Sequence, residues 1–206
     1  MTNKLLDELK RLKSIADIGH LYASNEYEKE RYIELQDITV KLLHLISDHS
    51  IGSLKETFPL AESYPTAKVD IRGLILSDDH RILLVKESAD KRWSLPGGWA
   101  DIGYTPKEVI IKECKEETGL DVVPQQLLAV FDKRMHAHPP QPHYVYKMVF
   151  YCKAVSYEIT KGFDVLDVQY FDVDNLPELS EDRILVSQIE MLYRKVTSPN
   201  LETYFD

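Results

Sequence analysis

The sequence contains few cysteines, few basic residues and no long apolar run. Its two cysteines, Cys114 and Cys152, provide neither a disulfide framework nor the spacing of a zinc site. The 25 Lys and Arg residues are outnumbered by 34 Asp and Glu residues, which argues against a stable nucleic-acid partner held by nonspecific phosphate contacts. No stretch approaches the roughly 18 apolar residues of a membrane span. The charged N-terminus, MTNKLLDELKRLK, does not resemble a signal peptide. We therefore expect a soluble, cytoplasmic protein that is not bound to a membrane.

The most informative residues are three glutamates that follow a glycine-containing loop. Glu113, Glu116 and Glu117 stand at positions i, i+3 and i+4, so their carboxylates project from one face of a helix. Such a cluster is either an exposed acidic face or a site for a divalent cation. The preceding pair, Gly97 and Gly98, allows tight backbone turning. This context favours the metal site.

The ends of the glutamate helix can also be predicted. Thr105 is expected to be the N-cap, Pro106 suits the first turn, and Gly119 is expected to end the helix.

The segment from Gly97 to Leu120 closely resembles the Nudix box, whose pattern is G-x5-E-x7-R-E-U-x-E-E-x-G-U with U apolar. The residues that fit the pattern are Gly98, Glu113, Cys114, Glu116, Glu117, Gly119 and Leu120. Tyr104 replaces the usual Glu, and Lys112 replaces the usual Arg. Lys112 can supply charge to Glu116 but not the bidentate fork of an arginine.

The resemblance implies an α/β/α Nudix sandwich with a mixed sheet and a hydrolase activity on phosphoanhydrides. Its expected cofactor is Mg²⁺, or Mn²⁺, because hard cations prefer oxygen ligands. The expected metal ligands are the backbone carbonyl of Gly97 and the carboxylates of Glu113, Glu116 and Glu117. The number of metal ions stays open.

The base that takes a proton from the attacking water has several candidates, because relatives place it either in the box or on a distant loop. Glu113 is the candidate within the box, and the distal candidates are Glu181, Asp182 and Asp167. Acids also stabilise helix N-termini through the helix dipole. Capping alone could therefore explain Glu181 and Asp182.

Substrate contacts are predicted at Arg72, Trp93 and His143. An inward-facing Arg72 on a strand needs an anionic partner, either a substrate phosphate or an internal carboxylate. Trp93 and Trp99 flank the glycine loop, and either could stack on a base. His143 ends the proline-containing segment HAHPPQPH, which is predicted to be a stiff loop beside the pocket, with His138 or His143 in contact with phosphate.

The chain is predicted to have two domains. Residues 4–22 and 26–48 have apolar residues at helical spacing and indicate an antiparallel helical hairpin, with Asn25 capping the second helix. We assign residues 1–58 to this module. A hairpin cannot bury its apolar stripe alone, so it must pack on the other domain or on a second copy of itself. We expect the second arrangement, a homodimer through the N-terminal helices.

Residues 67–206 are assigned to the Nudix domain. Strands are predicted at residues 69–76 and 81–86, which form a hairpin, and near residues 127–132, 144–155 and 168–173. A final helix is predicted from about residue 180 to residue 196. Residues 49–66 lack strong periodicity and read as a connector.

A second resemblance is to the Nudix subgroup that hydrolyses X-linked nucleoside diphosphates, some members of which cleave CDP-choline or ADP-ribose. It rests on the helical module and on short runs at residues 69–72, 95–101, 143–147 and 176–183. It implies cleavage of a nucleoside diphosphate linked to X into a nucleoside monophosphate and phospho-X. The alternatives are a nucleoside triphosphate pyrophosphatase and a catalytically inactive nucleotide sensor, which would have little reason to keep three mutually repelling glutamates.

Overall fold

A computed structural model describes residues 2–198 and 202–206 as two compact units. The first, the helical unit, comprises residues up to 67 together with 140–143, and the second, the sheet unit, comprises 68–139 and 144 onwards. The short segment 140–143, which the sequence assigned to the Nudix domain, therefore belongs to the helical unit. None of the helices in the described ranges is long and apolar enough to cross a membrane.

The helical unit contains three helices. Helix α1 spans Thr2–Tyr22, α2 spans Glu26–Leu45 and α3 spans Ile51–Thr57. The Asn25 side chain accepts a hydrogen bond from the N–H of Glu28, which confirms the predicted cap. A small apolar core joins α1, α2 and α3 through Leu9, Val40, Leu43 and Leu54.

Helix α3 lies in the segment that was predicted to be a connector. It begins after Ser50, whose side chain accepts from the N–H of Ser53, and it buries Leu54. Seven residues make about two turns, which is too short for an apolar period to stand out. The segment read as a connector therefore contains a helix that the sequence did not predict.

The sheet unit contains two sheets. The strands are β1 Lys68–Ile75, β2 Ile82–Glu87, β3 Trp93–Ser94, β4 Gly97–Trp99, β5 Val122–Asp132, β6 Val145–Ala154, β7 Val165–Phe171 and β8 Tyr204–Phe205. The larger sheet has the order β4-β1-β6-β5-β8, with β1 parallel to β6, and the smaller has the order β3-β2-β7. The sheet is therefore mixed.

Strands β1 and β2 do not form the predicted hairpin. The turn exists, because the N–H of Ser77 bonds the carbonyl of Arg81 and Leu76 forms a single bridge with Ile82. Beyond that bridge the strands separate into different sheets. The polar turn was visible in the sequence, but the choice of β6 and β7 as pairing partners depends on residues far along the chain.

Two helices and two apolar clusters complete the unit. Helix α4, Pro106–Thr118, contributes Val109 and Ile110 to one cluster, and helix α5, Val186–Thr197, contributes Ile189 and Leu192 to the other. The predicted α/β fold with an N-terminal helical hairpin is confirmed. The last helix starts later than predicted, because the N–H groups of Arg183 and Ile184 bond the Ser180 carbonyl in a separate turn.

Candidate active site

The helix that carries the three glutamates is fixed at both ends by its own sequence. The Thr105 side chain accepts from the N–H of Glu108, and the Glu108 carboxylate accepts from the N–H of Thr105 at 2.7 Å, which together form a capping box. Gly119 ends the helix with φ 75°, a left-handed conformation that favours glycine. The predicted start and end of the helix are therefore confirmed.

Glu117 is the most buried of the three glutamates. Only 4% of the residue is exposed, and one carboxylate oxygen accepts a 2.8 Å hydrogen bond from the N–H of Gly97. Burial raises the pKa of Glu117 to about 8, although Arg72 and the Gly97 N–H oppose the increase. An ionised Glu117 in this position needs a positive charge close by.

Glu113 lies one turn earlier and is half-buried beside the glycine loop. A Cβ atom on Gly98 would stand 3.1 Å from the Glu113 carboxylate, so the absence of a side chain at residue 98 gives this carboxylate its space. Burial raises the pKa of Glu113, and the negative charges of Glu116 and Asp164 add to the increase. The surroundings of Glu113 and Glu117 thus disfavour the ionised form of both carboxylates.

Glu116 has a different environment. Its side chain is 49% exposed and lies 3.9 Å from the ammonium of Lys112. Lys112 makes a closer contact, 2.9 Å, with Asp101. Lys112 therefore points mainly towards the residues before the helix rather than acting on Glu116 alone.

The three glutamates do not form a ready-made metal cage in the described part of the chain, where no group of three His, Cys, Asp or Glu side chains is close enough to hold an ion. The donor set nevertheless fits a hard divalent cation. Glu113 and Glu117 are oxygen donors whose ionised forms are destabilised by burial, and a cation would reverse that effect. The ligand role of the Gly97 carbonyl stays a prediction.

Arg72 lies next to these carboxylates within a buried ion-pair network. Its guanidinium donates to Asp70 at 3.0 Å, to the Leu95 carbonyl at 3.0 Å and to Glu87 at 3.4 Å. The sequence left two anionic partners open for Arg72, and an internal carboxylate is one of them. A substrate phosphate as a further partner of Arg72 stays a prediction.

The network extends from Arg72 in two directions. Lys147 on β6 is fully buried and contacts the second oxygen of Asp70. Burial lowers the pKa of Lys147 to about 7, while its contact with Asp70 favours the charged form. On the other side, Arg183 donates to Glu87 at 2.9 Å.

The two tryptophans differ sharply. Trp93 is 8% exposed and packs its ring edge against Phe171, with 4.7 Å between ring centroids. Trp99 is 50% exposed, and the Lys68 ammonium lies 5.5 Å from its ring centroid. Trp99 is therefore half exposed to solvent, whereas Trp93 belongs to the core. The predicted substrate contact of Trp93 stays a prediction without a free ring face to support it.

Residues 178–185 form a turn before α5 that we call the acidic turn. It contains Glu181 and Asp182, and the side chains of both are exposed. Backbone bonds tie the turn to β3, because the N–H of Trp93 donates to the Glu178 carbonyl and the N–H of Ser180 donates to the Trp93 carbonyl. The chain reaches Gly97 four residues after Trp93. The acidic turn is thus attached to the strand that leads into the glycine loop.

Two further residues were predicted to act at the site, Asp167 as a base and His143 as a substrate contact. Asp167 is inside β7, opposite Lys86, and its carboxylate accepts from the side chain of Gln169 at 2.6 Å. His143 belongs to the helical unit and is half-buried. Their predicted roles stay predictions.

Sequence reasoning missed the buried partners of Arg72. Glu87 follows an ordinary apolar strand and carries no signal of its own, although it accepts from Arg72, Ser94 and Arg183. Lys147 and Arg183 did stand in the short runs used for the second resemblance, but only pairing of the strands shows that they share one network.

Two families match the chain. The NUDIX domain matches residues 67–190, and the family described as "UDP-X-like, N-terminal oligomerisation domain" matches residues 3–58. The chain is 37% identical over 203 residues to YjhB of Bacillus subtilis (strain 168), a candidate ADP-ribose pyrophosphatase, and the match covers 98% of this chain and 97% of YjhB. It is 34% identical over 122 residues to an ADP-ribose pyrophosphatase of Methanocaldococcus jannaschii, which covers 58% of this chain and 69% of the relative.

Solved structures resemble the chain in the same way. A UDP-X diphosphatase is 33% identical with a TM-score of 0.64, covering 100% of this chain and 99% of that one. An ADP-ribose pyrophosphatase from Streptococcus suis is 35% identical with a TM-score of 0.62, covering 68% of this chain and 100% of that one.

Proposed function

We propose a specific reaction for this chain, which belongs to the Nudix family and is a pyrophosphohydrolase. It cleaves a nucleoside diphosphate linked to X into a nucleoside monophosphate and phospho-X. The observation that carries this proposal is a pair of carboxylates, the buried Glu117 against the Gly97 N–H and the half-buried Glu113 against Gly98. Such a pair is stabilised by a cation, and a pyrophosphate is a natural ligand of that cation.

We assign Mg²⁺ or Mn²⁺ as the cofactor, with Glu113, Glu116 and Glu117 as the carboxylate ligands. When bound, the cation neutralises phosphate oxygens and acidifies a coordinated water. The residues of the chain hold the ligand carboxylate and the glycine loop in position. Gly97 fixes one oxygen of Glu117, and Arg72 fixes the Leu95 carbonyl two residues before Gly97.

For the base we assign Glu181 on the acidic turn. Its carboxylate is exposed, whereas Glu113 faces Gly98 and its pKa is raised by burial. The main chain of residues 178–180 bonds to Trp93, which places the turn beside the approach to the glycine loop. Glu181 would take the proton from the attacking water and return it to solvent after the phosphoanhydride breaks.

ADP-ribose is the substrate that we propose first, because two proteins similar in sequence and one solved structure are named as ADP-ribose pyrophosphatases. A UDP-linked substrate is the second, because the N-terminal family and the full-length structural match are both described as UDP-X proteins. CDP-choline, which the sequence also suggested, stays in the panel. We propose that Trp99 stacks on the nucleobase of the substrate, since its ring is exposed.

The test is a panel of ADP-ribose, a UDP-sugar, CDP-choline and nucleoside triphosphates, incubated with Mg²⁺ or Mn²⁺ and resolved by chromatography. We expect one linked diphosphate to yield a nucleoside monophosphate, with little triphosphate consumed. Trp99→Leu should raise KM for that substrate more than it lowers kcat, whereas Tyr157→Leu, at another exposed aromatic position in the loop after β6, should change neither. Binding of nucleotides without cleavage would instead support the sensor alternative.

We also propose that the helical unit forms a homodimer. Its family is described as an oligomerisation domain, and apolar side chains are exposed along α1 and α2, including Ile15, Ile38 and Leu45. Light scattering on the full chain should give twice the mass of 23.9 kDa. Ile38→Glu should reduce that mass and Lys41→Glu should not. A monomeric full chain would contradict the proposal.

A further inference from the structure

The acidic turn is held in place by two buried side chains from a distant segment. After β5 ends at Asp132, the chain forms a single 3-10 turn, Lys133–Met135, and continues to His138. The Lys133 ammonium donates to the Asp182 carbonyl at 2.5 Å, and the Nδ1 of His138 bonds the Glu181 carbonyl at 2.5 Å. Two successive carbonyls of the turn are thus bonded by two side chains that lie more than 40 residues earlier.

Both donors are buried, which distinguishes them from ordinary surface contacts. Lys133 and His138 are each 7% exposed. A carbonyl oxygen can only accept, so the Nδ1 atom of His138 carries a proton. Burial lowers the pKa of His138 to about 4, which keeps this ring neutral. Burying a lysine ammonium and an imidazole costs free energy, which their hydrogen bonds to the two carbonyls partly offset.

The opposite side of the turn is held equally firmly. Ser180 is fully buried and donates from its hydroxyl to Asp90 at 2.6 Å, while Arg183 donates to the Ser180 hydroxyl at 2.9 Å and to Glu87 at 2.9 Å. Glu87 in turn accepts from Arg72, the guanidinium whose charge acts on Glu117. The turn is therefore anchored to the ion-pair network on one side and to Lys133 and His138 on the other.

These bonds use the backbone of Glu181 and leave its carboxylate exposed. We propose that Lys133 and His138 are positioning residues that hold the Glu181–Asp182 backbone, so that the Glu181 carboxylate meets the attacking water in one orientation. This inference rests on the proposed function, in which Glu181 takes the proton. A misplacement of about 1 Å in a reacting group can lower a rate about 100-fold.

The His138 Nε2 atom points to a further detail of this arrangement. Among the described residues it is a buried nitrogen without a hydrogen-bond partner. A core histidine kept only for packing could be replaced by an apolar ring without loss. The Nδ1 bond to Glu181 is what such a replacement would remove.

The experiment compares kcat and KM, on the linked diphosphate that the wild type cleaves, for Glu181→Gln, His138→Phe, His138→Asn and Lys133→Met. His138→Phe and Lys133→Met remove the donor with similar volume, whereas the amide of Asn keeps a donor near the Nδ1 position. We expect the two donor-less variants to lower kcat about 10- to 100-fold with KM changed less than about twofold, and Asn to restore most of the loss. His136→Asn is the matched control, because His136 bonds Asp206 rather than the turn, and its kcat should stay at the wild-type value.

A double variant distinguishes positioning of Glu181 from general damage. If His138 acts through Glu181, then adding His138→Phe to Glu181→Gln should lower kcat no further. An equal additional loss in that background would overturn the inference, as would wild-type kcat in both His138→Phe and Lys133→Met. If His138→Phe does not fold, as judged by circular dichroism, Lys133→Met decides by the same criteria.

The failure of the two proposals can be told apart. Absence of cleavage by the wild type would remove the proposed function itself. Cleavage with a slow Glu181→Gln and unaffected positioning variants would remove only this inference. A Glu181→Gln variant as fast as the wild type would remove both the assigned base and the role of Lys133 and His138.

Discussion

The box helix and the acidic turn, whose glutamates we propose to act at one site, are built in opposite ways. Glu113 and Glu117 are placed by spacing along one capped helix and are partly or fully buried. Glu181 is exposed, and its backbone is held by Lys133 and His138 together with the bonds of Ser180 and Arg183.

This difference follows from what each carboxylate would do. A metal ligand benefits from burial, because low solvent access strengthens its interaction with the cation. A base must exchange its proton with water and is better placed at the surface. Burial therefore accompanies two of the three proposed ligands, Glu113 and Glu117, and an exposed turn with a bonded backbone accompanies the candidate base.

The largest expected effect comes from Glu117→Gln. The substitution keeps the side-chain volume and removes a charge, so turnover should fall by about three orders of magnitude and the affinity for Mn²⁺ should fall with it. Kinetics and Mn²⁺ titration followed by electron paramagnetic resonance check both. Glu181→Gln is the matched comparison, and it should lose about 100-fold in rate but keep Mn²⁺ affinity. Equal loss of Mn²⁺ in both variants would break the distinction between ligand and base.

Gly98→Ala should have the next largest effect. Its Cβ would stand 3.1 Å from the Glu113 carboxylate, so this side chain must move by a few tenths of an ångström. We expect kcat to fall about 10-fold and Mn²⁺ affinity to weaken, with the fold retained. Gly52→Ala is the control, because its nearest neighbour would be 3.8 Å away. An unchanged Gly98→Ala enzyme would show that Glu113 is not held by this close approach.

The pH dependence of stability sharpens the contrast through Glu117. Its pKa rises from 4.5 to about 8 on folding, so between these values the folded protein binds more protons than the unfolded protein. The free energy of unfolding of the metal-free protein should therefore fall as pH rises through this range, by up to about 1.4 kcal/mol for each step of one in pH. Glu117→Gln should remove this decline, because the amide does not titrate.

Urea unfolding in EDTA at several pH values between about 5 and 8 measures the difference. Saturating Mg²⁺ should narrow the gap between wild type and variant, because a cation favours the ionised carboxylate. Parallel stability curves in EDTA would contradict a strongly raised pKa at Glu117.

The smallest effect is expected at Lys112. Its ammonium contacts Asp101 at 2.9 Å and Glu116 at 3.9 Å on the exposed side of the helix. Lys112→Arg restores the residue usual in the box and should change kcat less than about threefold, because exposed ion pairs contribute little. Lys115→Arg, about one turn later in the same helix, controls for the substitution itself. A large gain in activity would mean that Lys112 limits the orientation of Glu116.

Particular elements show how far prediction from the sequence reaches. The box helix was predicted at both ends, because Thr105, Pro106 and Gly119 act through local backbone preferences. The prediction that β1 and β2 form a hairpin was wrong, because only the turn is local and each strand pairs with a strand far along the chain. Helix α3 was not predicted, because seven residues are too few to show an apolar period.

The same division applies to the candidate site. The glutamates of the box could be found from spacing alone, and the partners Glu87, Lys133 and His138 could not. Nothing in the residues near His138 indicates that its ring bonds the carbonyl of Glu181, 43 residues later. That contact depends on how β5 and the acidic turn meet in the fold.

The sequence by itself determined the family, the hydrolase class and the helix that carries the carboxylates, because periodicity, capping and spacing act over a few residues. Only the tertiary structure decided which carboxylates are buried, that Trp93 packs in the core while Trp99 faces solvent, and which donors hold Glu181. Burial and ion pairing are sums over neighbours that are distant along the chain, so they exist only once the strands have chosen their partners.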